Sequence, residues 1–392
     1  MEKEPMACAA LPLRADESVY ALVLGTREGM NSLLGGQSEK LQRRIDPAEW
    51  AARPEVRCLI GDEGASVLPE EDDPENPVTL AGLAVKLLRI RRQKGLPGCT
   101  LLPCAPMPHN GEHLREAMIA CAVAWRLPRD FLRWLVEENP CVSTLTDCSR
   151  WLIETATPLP VEQAEGSIQY VPDLTPYARR SQWMLGGAGV LLASAGMLLG
   201  VETVGAAMKD EDLRRLLGSA LTREILPVLP DGLPEGLEYA ARVCAYLENA
   251  CREESWPATG ENLTLRFAAC LLPALTAYEK QNACLPPCLT FTLSALIMLY
   301  AGIRKNGEEY KLPTENGEAE VLDTPAACRA FSQFSCDMAP ESLAYAALSD
   351  REVWGCDLRE IEGLEEAVTG WLRDMQLLGA RTALQRAASL SE

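Results

Sequence analysis

The stretch Arg179–Asp210, RRSQWMLGGAGVLLASAGMLLGVETVGAAMKD, decides the architecture of the chain. From Ser181 to Val201 it carries no charge, and it contains a Gly-x-x-x-Gly pair in Gly196–Gly200. About 20 apolar residues suffice to cross a bilayer, so length alone permits a membrane span. Gly186, Gly187 and Gly189 cluster at its start, which weakens a continuous helix there. Glu202 is followed at once by ordinary amphipathic helix. The expectation is therefore a buried interior helix, with Gly196 and Gly200 marking close helix packing, and not a membrane anchor.

The surroundings agree. The 392 residues are 47% hydrophobic and 24% charged, with a formal net charge of −19. Two ordinary domains fit that length. An acidic chain without a basic stripe excludes a phosphate-tracking surface for nucleic acid and disfavours anionic membranes. Fifteen cysteines with only two histidines, in an odd number and without any Cys-x-x-Cys, point to reduced cytoplasmic thiols used as small apolar core residues, not to disulfides or zinc. No signal peptide is read at the start.

Upstream of the stretch, strand and helix signals alternate. Met6–Leu13, Val19–Gly25, Pro54–Asp62 and Gly98–Ala105 have strand length. Val78–Lys94, Asn110–Leu127 and Pro128–Asn139 carry apolar residues at three- and four-residue steps, the helical period. Asn110 or Gly111 is expected near the cap of the second of these helices. Alternation predicts a parallel or mixed sheet packed by helices. Downstream, apolar helical periods dominate, and Arg304–Glu320 reads as a connection. The fold class expected is α/β plus all-α: a reduced Rossmann-like domain over 1–165 and a helical domain over 166–392.

Among chemical motifs, His109–His113, HNGEH, matches the inverted zinc-protease spacing. That chemistry needs both histidines on one helical face, whereas Asn-Gly favours a turn or a helix start. No metal is expected. No Gly-x-Gly-x-x-Gly follows a strand, and no Gly-x-Ser-x-Gly occurs.

Four passages resemble the mannitol dehydrogenase family of polyol-specific long-chain dehydrogenases, and in particular its tagaturonate reductase (altronate oxidoreductase) branch. Thr100–Asn139 is similar to the family's Leu-Pro-Cys-Glu…Asn-Gly block and the helices after it. Cys141–Asp147, CVSTLTD, resembles its Cys-Asn-Thr-Leu-Val-Asp strand. Pro172–Gly189, PDLTPYARRSQWMLGGAG, resembles Asp-Leu-Thr-Pro-Tyr followed by Lys-x-x-x-x-Asn-Gly-Ala-His. Gly200–Leu217 resembles its Thr-Val-x-x-Ala-Met-x-Asp helix, and Leu271–Gly302 fits as well. The resemblance implies a Rossmann-type NAD-binding domain followed by a helical substrate domain. It also implies metal-free hydride transfer between NAD(H) and a sugar acid or polyol. In that chemistry a lysine serves as acid/base, and an asparagine and a histidine hold the substrate oxygen.

Measured against the family pattern, the lysine, asparagine and histidine positions hold Ser181, Gly186 and Gly189. Ser143, Asp147, Asn262 and Arg266 stand where substrate-pocket residues are implied. Ser143 replaces an asparagine, and Asp147 matches. Gly61, Asp62 and Glu63 occupy the degenerate cofactor-side segment. The sequence starts at the family's second strand, so its Gly-rich turn is expected to be absent, which sets NAD binding against the family norm. Two readings follow. One is a catalytically degenerate member, a pseudoenzyme. The other is a working NAD-dependent oxidoreductase with a rearranged site, acting on tagaturonate/altronate, fructuronate/mannonate or fructose/mannitol. A small sugar acid or polyol is the expected partner.

Overall fold

The computed structural model of the chain describes residues 7–13, 16, 18–25, 42–43, 45–61, 72–104, 107–148, 150–156, 159, 168–229, 236–249, 261–307, 309–314, 317–321 and 323–391. The chain divides into two compact units, Met1–Ala178 and Arg179–Glu392. The division falls later than the 165/166 boundary expected from sequence. Residues Ile168–Val171 form a strand that pairs with Arg150–Glu154 and so belongs to the first unit.

The first unit is built on a mixed five-stranded sheet. Its strands are β1 (Ala7–Pro12), β2 (Tyr20–Gly25), β3 (Gln42–Arg43), β4 (Val56–Gly61) and β5 (Thr100–Pro103), in the order β3-β1-β2-β4-β5. β1 and β2 form an antiparallel pair. β2, β4 and β5 run parallel, with Leu22 opposite Leu59 and Leu59 opposite Leu101. Side chains alternate across a strand. Leu22 and Leu24 therefore face one core, with Leu59 and Leu101, under the helices α1 (Pro47–Ala51), α2 (Leu80–Gln93), α3 (Asn110–Ala124) and α4 (Arg129–Glu138). Ala21 and Val23 face a second core with Cys58, Ile60, Leu102 and Ile153. Ile153 comes from a smaller sheet of β6 (Thr144–Asp147), β7 (Arg150–Glu154) and β8 (Ile168–Val171). Parallel strands covered on both faces read as apolar runs, which is why LVL and CLI are legible as strands.

The second unit is predominantly helical. The chain passes through α5 (Thr175–Arg180), a π-helix at Ser181–Gly186 and α6 (Gly187–Leu198). The helices α7 (Val204–Lys209), α8 (Glu211–Ser219), α9 (Gly236–Asn249), α10 (Leu263–Cys270), α11 (Leu272–Asn282) and α12 (Pro287–Tyr300) follow. After them come α13 (Pro325–Phe331), α14 (Pro340–Leu348), α15 (Arg351–Trp354), α16 (Leu364–Leu378) and α17 (Ala380–Leu390). α6 and α12 are apolar nearly all round and buried along most of their length, as a helix must be when it has no polar face. They pack on each other, and α16 and α17 pack on α12.

The helix expected to be interior is buried over most of Gly187–Gly196, while Gly200, expected to mark close packing, is exposed and left-handed at φ 72°. Gly186, Gly187 and Gly189 sit in a π-to-α transition. Among the described residues, no helix is long and apolar enough to cross a membrane. One connection is corrected. Arg304–Glu320 is a three-stranded antiparallel sheet of β9 (Arg304–Asn306), β10 (Glu309–Thr314) and β11 (Gly317–Glu320). Gly307, at φ 64°, takes the left-handed conformation after β9, which Asn-Gly supplies at little cost.

Candidate functional site

Ser181 opens the π-helix, and Gly186 closes it before α6 takes over. In an i→i+5 ladder, the residue five positions on returns close to the same side of the helix. In the α-helix that follows, the residue three further on shares that side. Positions 181, 186 and 189 therefore lie along one face, although their spacing would scatter them on an uninterrupted α-helix. All three are half-buried.

That face is closely covered by α10. A methyl group added at Gly186 would lie 2.9 Å from Cys270 Sγ, and one added at Gly189 would lie 2.9 Å from Arg266 Nη2. Arg266 and Cys270 are one helical turn apart, so both point from the same side of α10. Burial pushes the Cys270 thiol above its ordinary value, with the neighbouring Arg266 charge working the other way. Cys270 was not singled out from sequence, although its i+4 spacing from Arg266 was the available signal. Asn262 is exposed, in a left-handed conformation at φ 51°, and makes no side-chain cap to α10.

Just before Ser181, the buried Arg180 places its guanidinium 3.9 Å from the centre of the Tyr239 ring, and Arg242 stands 5.3 Å from the same ring. A guanidinium held on an aromatic face stays charged and fixed. Arg180 is thereby a structural neighbour of the site and no substitute for a lysine.

The remaining expected residues lie in the first unit. Ser143 is buried, and its Oγ accepts from Gly111 N at 3.3 Å. Asp147 is buried at the end of β6, opposite Arg150 in the β7 register. Gly61 ends β4, and a methyl group there would strike Leu80 Cδ1 at 2.2 Å, so strand and helix meet there without room for a side chain. Asp62 and Glu63 lie outside the described residues.

Asn110 and Gly111 stand beside the cap of α3, as expected. The cap position of α3 is His109, left-handed at φ 53°, while Asn110 is the first helical residue. Asn110 instead reaches sideways: its Nδ2 donates to Thr144 O at 2.9 Å, and its Oδ1 accepts from Thr144 N at 3.0 Å. This buried two-way amide clasp pins the start of α3 to β6. His109 and His113 are both exposed, and among the described residues no group of three or more His, Cys, Asp or Glu could hold a metal ion.

The fit of a dinucleotide can be judged at the helix after β4. Phosphates are held by open N–H groups at a helix start. Here the buried Asp72 carboxylate accepts from Val78 N at 2.8 Å, Thr79 N at 3.1 Å and Thr79 Oγ1 at 2.5 Å, and Thr79 Oγ1 accepts from Gly82 N at 2.9 Å. The two N–H groups just before the helix are taken by a carboxylate and Gly82 N by a hydroxyl. With a buried carboxylate at this helix start, the described residues there do not fit a pyrophosphate.

Comparison with known proteins gives the lineage. The altronate oxidoreductase of Yersinia pestis is 30% identical over 321 residues, covering 73% of this chain and 65% of that protein. That of Bacillus subtilis is 28% identical over 383 residues, covering 86% and 76%. The chain thus spans just under two thirds of the length of the Yersinia relative. Among solved structures, a D-sorbitol dehydrogenase in substrate-free form matches with TM-score 0.65 at 17% identity, covering 86% of this chain and 76% of that one. The Pseudomonas fluorescens mannitol 2-dehydrogenase, in a ternary complex with NAD and D-mannitol, matches with TM-score 0.57 at 17% identity, covering 87% and 76%. No family profile matches the sequence. The neighbours share the N-terminal Rossmann-like sheet and the helical C-terminal part, and altronate oxidoreductases are homologues of the chain over most of its length.

Proposed function

We propose that this chain is a catalytically degenerate member of the mannitol dehydrogenase family, one that keeps the fold and has lost the acid/base step. The observation that carries this reading is the face of Ser181, Gly186 and Gly189. Interconverting an alcohol and a ketone requires a proton to leave or reach the substrate oxygen, and a positioned acid/base commonly contributes about 10²–10⁴-fold. Two of the three positions have no side chain. Ser181 offers a hydroxyl, which is no base near neutral pH without an activating partner. A guanidinium is no general acid or base, and burial pushes the Cys270 thiol above its ordinary value.

The test is direct. The purified chain is mixed with NADH and, in turn, tagaturonate, fructuronate and fructose, and NADH absorbance is followed. No oxidation above the protein-free rate is expected. Turnover of any of the three substrates would overturn the reading in favour of an NAD-dependent oxidoreductase of sugar acids or polyols with a rearranged site.

A further inference from the structure

We infer that helix α10 has filled the two vacated positions, with Arg266 lying in the space of a side chain at 189 and Cys270 in the space of one at 186. The contacts run antiparallel, with 186 facing 270 and 189 facing 266; separately, a methyl group at the adjacent Gly187 would meet Leu271 Cδ2, just past α10, at 2.5 Å. Close approach recurs at Gly82, Gly111 and Gly236, each with a neighbour within 3.0 Å of an added methyl group, but it is not universal. Gly218 in α8 and Gly370 in α16 have nothing within 4 Å of an added methyl group. The loss of side chains on one helix and the occupancy of that space by the other are thus one packing unit. Its two halves differ in stiffness. The guanidinium ends a long flexible side chain and can swing away, whereas the Sγ of a buried cysteine has little freedom.

The inference rests on reading 181, 186 and 189 as the vacated catalytic positions. It carries a consequence that reading alone lacks: rebuilding the trio needs Arg266 and Cys270 shortened as well. The experiment is a pair of double-mutant cycles on the full chain, read by thermal midpoint. Gly189→His and Gly186→Asn are each expected to lower the midpoint. The loss from Gly189→His should fall to about half or less in an Arg266→Ala background, and that from Gly186→Asn likewise in a Cys270→Ala background. Should either large substitution prevent folding, Gly189→Ser and Gly186→Ala give the same cycles, with the larger loss expected at 186. Losses that simply add in both cycles would overturn the inference. Turnover does not enter this readout. An active wild-type chain with coupled losses would therefore sink only the degenerate reading, and an inactive chain with additive losses would sink only the packing unit.

Discussion

Asn110 and Glu224 each satisfy two backbone groups from a buried position, and each makes a measurable prediction. Asn110 is 2% exposed and serves both the N–H and the C=O of Thr144. Asn110→Ala strands both, and buried orphans cost about 1–3 kcal/mol each. A loss of about 2–4 kcal/mol is expected in urea unfolding, against a smaller loss for Asn110→Asp, which retains the acceptor. Glu224 is fully buried, and its two carboxylate oxygens accept from Cys288 N at 2.8 Å and Leu289 N at 2.9 Å, capping α12. Burial raises its carboxyl above the ordinary 4.5, and the two N–H donors pull the other way. A folded carboxyl that titrates above its unfolded counterpart contributes stability below about pH 4.5, and that contribution is lost as pH rises through the folded value. The stability difference between wild type and Glu224→Gln should therefore move against wild type on going from about pH 4.5 to about pH 8. A difference that is flat with pH would refute the raised titration. Neither role was legible in sequence, because the partners lie 34 residues away for Asn110 and 64 and 65 away for Glu224. A polar residue near a helix start looks like a local cap until its distant partner is placed.

At the scale of elements, the legible features were those with a period. Val78–Lys94 announces α2 by its apolar steps, and the apolar runs of β2, β4 and β5 announce a sheet covered on both faces. β9 escaped because all three of its residues are exposed, leaving only the Asn-Gly turn as a signal. The π-helix at Ser181–Gly186 escaped because SQWMLG carries no marker of an i→i+5 ladder, and a second π-helix, Ala220–Ile225, is equally unmarked. Arg91 shows how an element can hide a non-periodic duty. It lies within α2, fully buried, and donates to Ala51 O at 2.9 Å, Arg53 O at 3.0 Å and Pro97 O at 3.0–3.1 Å. It thereby ties the end of α1 and the turn before β5 to one helix. Hydrogen bonds to a charged group are worth about 1.5–3 kcal/mol each, and Arg91→Leu leaves three carbonyls without their donor. A loss of about 3 kcal/mol or more is expected in urea unfolding, with Arg91→Lys recovering part of it. A neutral Arg91→Leu would show that these carbonyls are satisfied by other means.

For the molecule as a whole, the Rossmann-like sheet and the helical unit match those of its structural neighbours, and the two proposed losses, of catalysis and of cofactor binding, can be measured apart. The hydride chemistry is assayed by turnover. Cofactor binding is assayed by stability alone, since a ligand that binds only the folded state stabilises it by RT ln(1 + [L]/Kd). A dinucleotide held with Kd near 10 μM, offered at about 1 mM, would add about 2.7 kcal/mol. That corresponds to about 5–11 °C in thermal midpoint for a unit of this size. Two features oppose it. The helix start after β4 holds the buried Asp72 carboxylate against Val78 N and Thr79 N, with Gly82 N taken by Thr79 Oγ1, and a net charge of −19 repels a pyrophosphate at low ionic strength. The expected midpoint shift with NADH is below 1 °C at about 0.15 M salt, where screening beyond about 8 Å removes most of the general repulsion and leaves the local site to decide. A saturable rise of several degrees would show that phosphate is held elsewhere in the first unit, and binding would then have outlived catalysis. Asp72→Asn should leave the helix start capped and still not bind NADH, because Thr79 Oγ1 continues to occupy Gly82 N. A gain of NADH-dependent stabilisation in that variant would instead assign the exclusion to the carboxylate charge alone.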